Sequence, residues 1–356
     1  MDENFISRAN IMLNDSLLKT EELFRASDSR WFADFADHFL GMCRLVREAQ
    51  VGLGLSAISY LEYTMLYANF SDRRYVADVL AYGNKRRLDK NQRLVGSCNL
   101  SFLFVHFDEL WDSLLTLRKR YAGKVTAWEV KSFMMQALPD FFSYLTNIAR
   151  FAVAECIDKS PLTEIEKNEE FMVNVGAYMT STETVYSEKK NKDADALAVW
   201  FEERLKNEYV FGDYSGLDFS GRSFNSADFR YSFFRHSCLD NASLLDSELA
   251  GVSFRNARMK KCKLSGCSIH EADFSYAVLK NASLSCVQAE RSPIGKTWRH
   301  VGALPVNFRF ADLTGADFTG ANLSGADFTG ATLDGAVFTD TVLDGAVFDS
   351  SVCLGR

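Results

Sequence analysis

Residues 311–338 read ADLTGADFTGANLSGADFTGATLDGAVF, in which almost the same five letters recur. A period of five fits neither the 3.6-residue period of an α-helix nor the two-residue alternation of a strand. One position in each five holds a large apolar residue, a small residue stands two positions before it, and Asp, Thr, Ser or Gly fill most of the rest. This pattern predicts a chain that bends once per repeat and turns its large and small side chains inward.

The five-residue period runs through two blocks of the chain. The large residues of the first block extend from Tyr214 to Ala289 in 16 repeats, and those of the second from Phe308 to Cys353 in 10 repeats. If four bends close one coil, residues twenty apart lie above one another, and neighbouring coils bond at the spacing of about 4.8 Å between strands. The sequence therefore predicts an aromatic column through the interior, formed by Tyr214, Phe234, Phe254 and Phe274.

The repeats ADLTG, ADFTG and ANLSG resemble those of the pentapeptide-repeat family, whose consensus is A(D/N)LXX. The resemblance covers residues 214–353. It implies a right-handed quadrilateral β-helix, which in this family is usually a binding surface and not an active site.

The first 190 residues have a helical period instead and predict a compact helical bundle, of a family that the sequence does not reveal. The fold class expected for the chain is therefore α plus β-solenoid. Thr126 and Glu129 form a capping box, and Gly123 follows a helix as a stop signal. The predicted helical segments are 28–48, 55–67, 100–121, 126–138, 140–157 and 161–179.

A polar stretch without periodicity, residues 180–195, is predicted to be a linker. An amphipathic helix follows within residues 191–210, with Leu197, Trp200, Phe201 and Leu205 on one face. The open end of a β-helix exposes apolar side chains and strand edges. We therefore predict that this helix caps the β-helix of residues 211–356.

Composition excludes several classes of protein. The 356 residues carry a net charge of −7 with a pI of about 5.4, which argues against nucleic-acid binding by the chain as a whole. No apolar run reaches the length that spans a bilayer, so no membrane contact is expected. Eight cysteines without a CxxC pair indicate free thiols in a reducing cytoplasm. No catalytic, metal or cofactor motif can be nominated, so the expected cofactor is none.

The repeat pattern stops over residues 290–305, ERSPIGKTWRHVGALP, and resumes one residue out of phase. The segment is predicted to leave the β-helix as a loop. Trp298 and Arg299 make it a candidate contact element, because Trp and Arg are enriched in binding hot spots. The alternative is that Trp298 folds back and covers the β-helix.

Charge is distributed unevenly along the repeats. Residues 214–289 have a net charge of +2 and residues 306–356 a net charge of −5. Such a bipolar surface could orient a protein partner, or it could serve only to keep a β surface soluble. The candidate partner-binding residues are the basic Arg258, Lys260, Lys261, Lys263 and Lys280 and the acidic Asp312, Asp317 and Asp327.

The last repeats replace outward Asp or Asn by valine. An exposed ring of valines beside an open strand edge is a surface that soluble proteins avoid. The expectation is a homodimer joined end to end through this surface, and the alternative is that the helical domain of the same chain folds back over it. The residues concerned are Val337, Val342, Val347, Val352 and Leu354.

Three functions remain open from the sequence. The first is a non-catalytic adaptor whose β-helix presents a surface to a protein partner. The second follows gyrase-protecting members of the resembled family, which mimic the width and charge of DNA; only the C-terminal block is acidic enough for that. The third is an effector or enzyme with its activity in the helical domain, which would require a cleft with convergent ionisable groups.

Overall fold

A computed structural model describes residues 2–83, 92–121, 123–177, 182–190, 192–289 and 304–349. The chain divides into two compact units, residues 1–186 and 187–356.

The N-terminal unit contains four helices and most of a five-stranded sheet. The longest helix, α1, begins after Asp2, whose carboxylate accepts hydrogen bonds from the amides of Asn4 and Phe5. Short 3₁₀ turns at residues 101–103, 119–121 and 162–164 join the larger elements. The elements in chain order are α1 Glu3–Gly52, β1 Ile58–Met65, α2 Tyr67–Ser71, β2 Val76–Tyr82, β3 Arg93–Asn99, α3 Val105–Arg118, α4 Ala127–Ala154, β4 Lys167–Ala177 and β5 Thr182–Lys189.

The five strands form one mixed sheet in the order β3-β2-β1-β4-β5. The central strand β1 runs antiparallel to β2 and parallel to β4. Tyr63 pairs with Val79 on one side and with Val175 on the other, and all three side chains are buried. Helices α1, α3 and α4 pack against one another, and α1 and α4 also contact strands of the sheet.

The prediction of a helical region is confirmed, but the prediction of an all-helical bundle is wrong. The segments 55–67 and 161–179 were expected to be helices, and they contain β1 and β4. In β1 the apolar Leu61, Tyr63 and Met65 alternate with Glu62 and Thr64, and both faces are buried. Ile58, Leu61 and Met65 are spaced by three and four residues and so also fit one face of a helix. The predicted linker at 180–195 contains the whole of β5, whose Val185 and Tyr186 are buried.

Helix α4 begins at the predicted capping box, in which Thr126 Oγ1 accepts from the amide of Glu129 at 3.1 Å. It then continues through Pro139, where the sequence predicts a break between two helices. A proline inside a helix removes one backbone hydrogen bond. Leu138, Phe141 and Leu145 on either side are buried, so core packing outweighs this local cost.

In the repeat region, residues 211–349, parallel β-bridges join residues twenty apart. They begin at Asp213 with Phe233 and continue to Asp327 with Val347. The chain thus returns above itself after every four repeats, as the period of five predicts, and each circuit is here called a coil. Backbone bonds such as that from the Phe254 amide to the Asp273 carbonyl oxygen, 2.7 Å, join successive coils.

The interruption of the repeats leaves the stacking intact. Asp273 bridges Asn307 and Val278 bridges Asp312, both pairs being 34 residues apart, which is fourteen more than one coil. Phe308 therefore takes the place in the aromatic column that follows Phe274, at 5.0 Å between ring centroids. The register of the coils is therefore the same before and after the inserted residues.

The interior of the repeat region is filled by the predicted columns. Successive rings of the main column lie 5.0 to 5.5 Å apart from Tyr214 through Phe328, and Phe348 follows at 4.8 Å. Cys262 and Cys267 occupy small inward positions and are fully buried. Burial raises the pKa of Cys267 to about 12 and also raises the pKa of Cys262, so both thiols stay protonated and serve as core fillers.

The helix predicted within 191–210 is α5, Ala194–Glu202, in the second unit. Asp193 caps its first turn by accepting from the amides of Asp195 and Ala196. The ring of Phe201 is fully buried and contacts every side of the first coil. Its centroid lies 4.9 Å from Tyr214, 5.7 Å from Phe219, 5.3 Å from Phe224 and 4.9 Å from Phe229.

Phe254→Ala should lower the free energy of unfolding of the repeat region by about 3–5 kcal/mol, because it opens a cavity in the main column. Phe310→Ala, the same truncation at a ring that is 47% exposed, should cost less than about 1 kcal/mol. Native-state amide exchange over residues 214–349, read by mass spectrometry, measures both. Equal losses in the two variants would contradict the assigned columns.

Phe201→Ala should accelerate amide exchange first in the coil of residues 209–229, because its ring contacts the rings of that coil. The expected loss of stability is about 3–5 kcal/mol. Val199→Ala on the exposed side of the same helix, where the side chain is 61% exposed, is the control and should change exchange little. Faster exchange spread evenly over all coils would argue against a local capping role.

Candidate interaction surface of the repeat region

Each corner of a coil places one residue in the left-handed backbone region, two positions after the inward large residue. Glycine, asparagine and aspartate tolerate this conformation best. Most described corners follow that preference, as at Gly315, Asn256 and Asp246. The exceptions include Lys261, Tyr276 and Phe310.

The basic candidates lie along one side of the coils and its following corner. Arg258 points outward in the middle of that side and bridges Val278 of the next coil. Lys260 and Lys261 form the corner, and the Lys261 amide donates to the carbonyl oxygen of Lys280 at 2.9 Å. Lys263 lies outward on the adjacent side, where it bridges Ser283.

The basic residues differ in how far they are neutralised. Arg258 Nε lies 2.9 Å from Asp240, and Lys280 Nζ lies 2.9 Å from Asp312. Lys260 and Lys261 are exposed and have no ion pair among the described residues. These two ammonium groups are therefore available to a partner, as is that of Lys263, which is also exposed and has no ion pair among the described residues.

The acidic candidates have a local structural task. Asp312, Asp317 and Asp327 each accept two hydrogen bonds at their own corner, from the amide and the hydroxyl of the threonine two residues later, at 2.6 to 3.2 Å. Partial burial by itself would raise the pKa of Asp312, but the bonds from Thr314 and Lys280 outweigh it and hold that pKa below its ordinary value. All three side chains are half-buried, so their charge is only partly presented to a partner.

Two groups of candidates fall partly or wholly outside the described residues. Trp298 and Arg299, in the predicted loop, lie outside them, as do Val352 and Leu354. Val337, Val342 and Val347 are described, and their side chains are 42%, 43% and 51% exposed. Beside them the inward residues of the last described coil are only partly buried; these are Leu333, Phe338, Leu343 and Phe348.

The corner that precedes Arg258 carries two exposed aromatic residues that the sequence analysis did not single out. Tyr276 and Phe310 stand one above the other in left-handed corner positions, each with φ of 58°, and each is 47% exposed. Their rings stack at 5.0 Å between centroids. Arg255 lies over the ring of Tyr276 at 5.7 Å, and Arg309 over that of Phe310 at 5.8 Å. An aromatic residue where most repeats place Gly, Asn or Asp was the signal in the sequence.

In the N-terminal unit, an open groove of about 450 Å³ runs between α1 and α3. Lys19 lies 2.8 Å from Asp15 on α1, and His106 Nδ1 lies 2.9 Å from Glu109 on α3, while Asp112 pairs with Arg73 outside the groove. The pairing with Asp15 raises the pKa of Lys19. The first two pairs are thus each local to one helix.

Neither a metal-ligand cluster nor a membrane-spanning helix occurs in the described part of the chain. No group of three or more His, Cys, Asp or Glu side chains there could hold a metal ion. None of the helices described is both long and apolar enough to cross a membrane.

Comparison with solved structures finds pentapeptide repeat proteins. The chain is 20% identical to Rfr23 from the cyanobacterium Cyanothece 51142, covering 42% of this chain and 99% of that one, with a TM-score of 0.22. It is 18% identical to QnrB1, a plasmid-mediated fluoroquinolone resistance protein, over 40% of this chain and 84% of that one, with a TM-score of 0.21. Similarity at this level identifies no shared function. No curated protein matches the sequence.

A family model matches the chain itself. The model for pentapeptide repeats finds eight copies, at residues 247–285, 306–340 and 321–351. These matches coincide with the stacked coils and with the five-residue period. The C-terminal part of the chain is therefore a region of pentapeptide repeats.

Proposed function

We propose that the repeat region is a non-catalytic protein-interaction domain and that the chain acts as an adaptor. One observation carries this proposal: the interior of the coils is filled by fully buried apolar side chains from Phe219 to Phe328. A filled interior leaves only the outer surface for recognition. The proposal includes the right-handed quadrilateral form of the family for these coils.

The outer surface has features that a protein partner would use. Exposed cations and exposed aromatic rings occupy neighbouring corners, and Tyr and Arg are the residue types enriched in binding hot spots. Mimicry of DNA by the whole repeat region is the weaker alternative, because the side with Arg258, Lys260 and Lys261 is positive. The half-buried, turn-closing role of Asp312, Asp317 and Asp327 also reduces the negative charge available for mimicry.

A photo-crosslinking residue tests the adaptor function in the full-length chain. Placed at Val278, which faces outward between the two corners, it should form adducts with another protein in an extract of the native cell. The same residue at Trp128, 74% exposed on α4, is the matched position in the N-terminal unit. Adducts from position 128 alone would move the interaction to the N-terminal unit and contradict the proposal.

We also propose that the chain forms a homodimer through the last described coil. Three valines that are 42–51% exposed surround inward residues that remain only partly buried there. A second copy related by a two-fold axis would cover both the apolar side chains and the strand edge.

Sedimentation of the full-length chain tests the dimer. The wild type should sediment as a dimer at micromolar concentration, and Val342→Lys should sediment as a monomer because it places a charge within the apolar contact. Ser223→Lys, at an exposed outward position of the first coil, should remain dimeric. A monomeric wild type, or a dimeric Val342→Lys variant, would contradict end-to-end association.

A further inference from the structure

We propose that the side of the coils between the Tyr276–Phe310 corner and the Lys260–Lys261 corner binds an acidic segment of a partner protein. This side is here called the basic-aromatic side. The inference rests on the proposed function and names the chemistry of the partner. It is carried by charge, by the arrangement of the two rings and by the backbone of the corner that holds them.

Charge on the basic-aromatic side is concentrated in two consecutive coils. Residues 255–261 and 275–281 contain five cations and no acidic residue, in a chain whose net charge is −7. Asp240 and Asp312, from the coils before and after, neutralise Arg258 and Lys280. Lys260 and Lys261 stay exposed at the corner, so an incoming carboxylate would meet charges that no described side chain pairs.

The two rings favour an acidic polypeptide over single-stranded nucleic acid. Binding of bases requires open ring faces on which they can stack. Here the faces are occupied: Tyr276 stacks on Phe310, Arg255 lies over Tyr276, and Phe310 lies against the Cα of Gly330, where an added Cβ would come within 2.3 Å of the ring. The edges of the rings remain exposed, and a ring edge carries the positive part of the aromatic quadrupole, which attracts carboxylate oxygens.

The backbone of this corner argues that the rings are not there for the fold alone. Bulky residues adopt a left-handed conformation reluctantly, whereas asparagine adopts it readily. Asn256, directly before Tyr276 in the same corner column, shows that the corner closes with asparagine. Replacing Tyr276 by Asn therefore relieves the backbone while it removes an exposed ring edge and a hydroxyl donor. We therefore expect Tyr276→Asn to weaken binding of the partner without a matching loss of stability.

The chain offers a matched control at another corner. Phe211 and Tyr231 also stack in left-handed corner positions, at 5.6 Å between centroids, and Tyr231 lies over Gly251 as Phe310 lies over Gly330. The side that follows them carries Asp213, Phe233, Ser253, Asp273 and Asn307 at its outward positions and has no cation there. Phe211→Asn thus removes the same kind of stacked ring without touching the basic-aromatic side.

Fluorescence anisotropy on the full-length chain tests the proposal with three labelled probes. They are a peptide of repeated Glu-Asp-Leu triplets, the neutral Gln-Asn-Leu peptide of equal length, and oligo-dT. The acidic peptide should bind with an affinity that falls as salt rises, and the neutral peptide should not bind. Lys260→Glu/Lys261→Glu should weaken binding about tenfold or more, since it reverses two exposed charges.

Tyr276→Asn should weaken binding of the acidic peptide about threefold or more, as expected for loss of a Tyr contact, without lowering the thermal midpoint more than Phe211→Asn does. Phe211→Asn should bind the peptide like the wild type. Equal or tighter binding of oligo-dT would overturn the assignment to an acidic protein segment. So would equal effects of the two Asn variants, or no binding of the acidic peptide. If the crosslinked adducts at position 278 formed equally well in all these variants, the adaptor function would stand. The basic-aromatic side would then be rejected as the binding site.

Discussion

The repeat region depends on one constraint: every residue must lie directly above the residue one coil earlier. Parallel bridges such as Ser243 to Lys263 and Lys263 to Ser283 enforce it through backbone bonds of 2.7 to 3.1 Å. The constraint concerns register and not sequence separation, so fourteen extra residues at one corner are tolerated once Asn307 has returned above Asp273. The stack therefore accepts insertions at corners, whereas an insertion along a side would displace every inward residue after it.

Register in turn divides the sequence into three kinds of position. Inward residues are determined by volume, since rings at about 5 Å spacing fill the column and small residues such as Ala257 and Cys262 fit where the walls approach. Corner residues are determined by backbone conformation, and Asp or Asn closes many corners with its own side chain. Much of the acidity of residues 306–349 follows from this turn chemistry. Outward residues are less restricted: Asp312 and others like it also close a turn, whereas Arg258 and Val278 meet neither requirement and can vary with function.

The extent to which the sequence predicts the structure follows the same division. The period of five predicts the coils and the aromatic column, because both follow from a local repeat. The helix α5 is predicted by its amphipathic face. The N-terminal unit was less predictable. Strand β1 pairs with β2, nearby in sequence, and with β4, more than a hundred residues later, and is covered on both faces. Ile58, Leu61 and Met65 in this strand are spaced by three and four residues, which is equally compatible with one face of a helix. Pro139 predicts a break between two helices, but buried residues on both sides of it keep α4 continuous.

The candidate surface was half predictable for the same physical reason. Cations at 258–261 can be read from the sequence, since adjacent letters fall on one side and one corner. Tyr276 and Phe310 are separated by the inserted residues, and the bridges from Asp273 to Asn307 and from Val278 to Asp312 bring their corners together. Two residues on successive coils are neighbours when they are twenty apart in the sequence, not counting inserted residues. A surface that combines residues from both sides of the insertion can therefore be predicted only after the register is known. The insertion and the aromatic corner are in this sense one feature, because Phe310 stacks on Tyr276 across a separation of 34 residues, twenty for one coil and fourteen for the insertion.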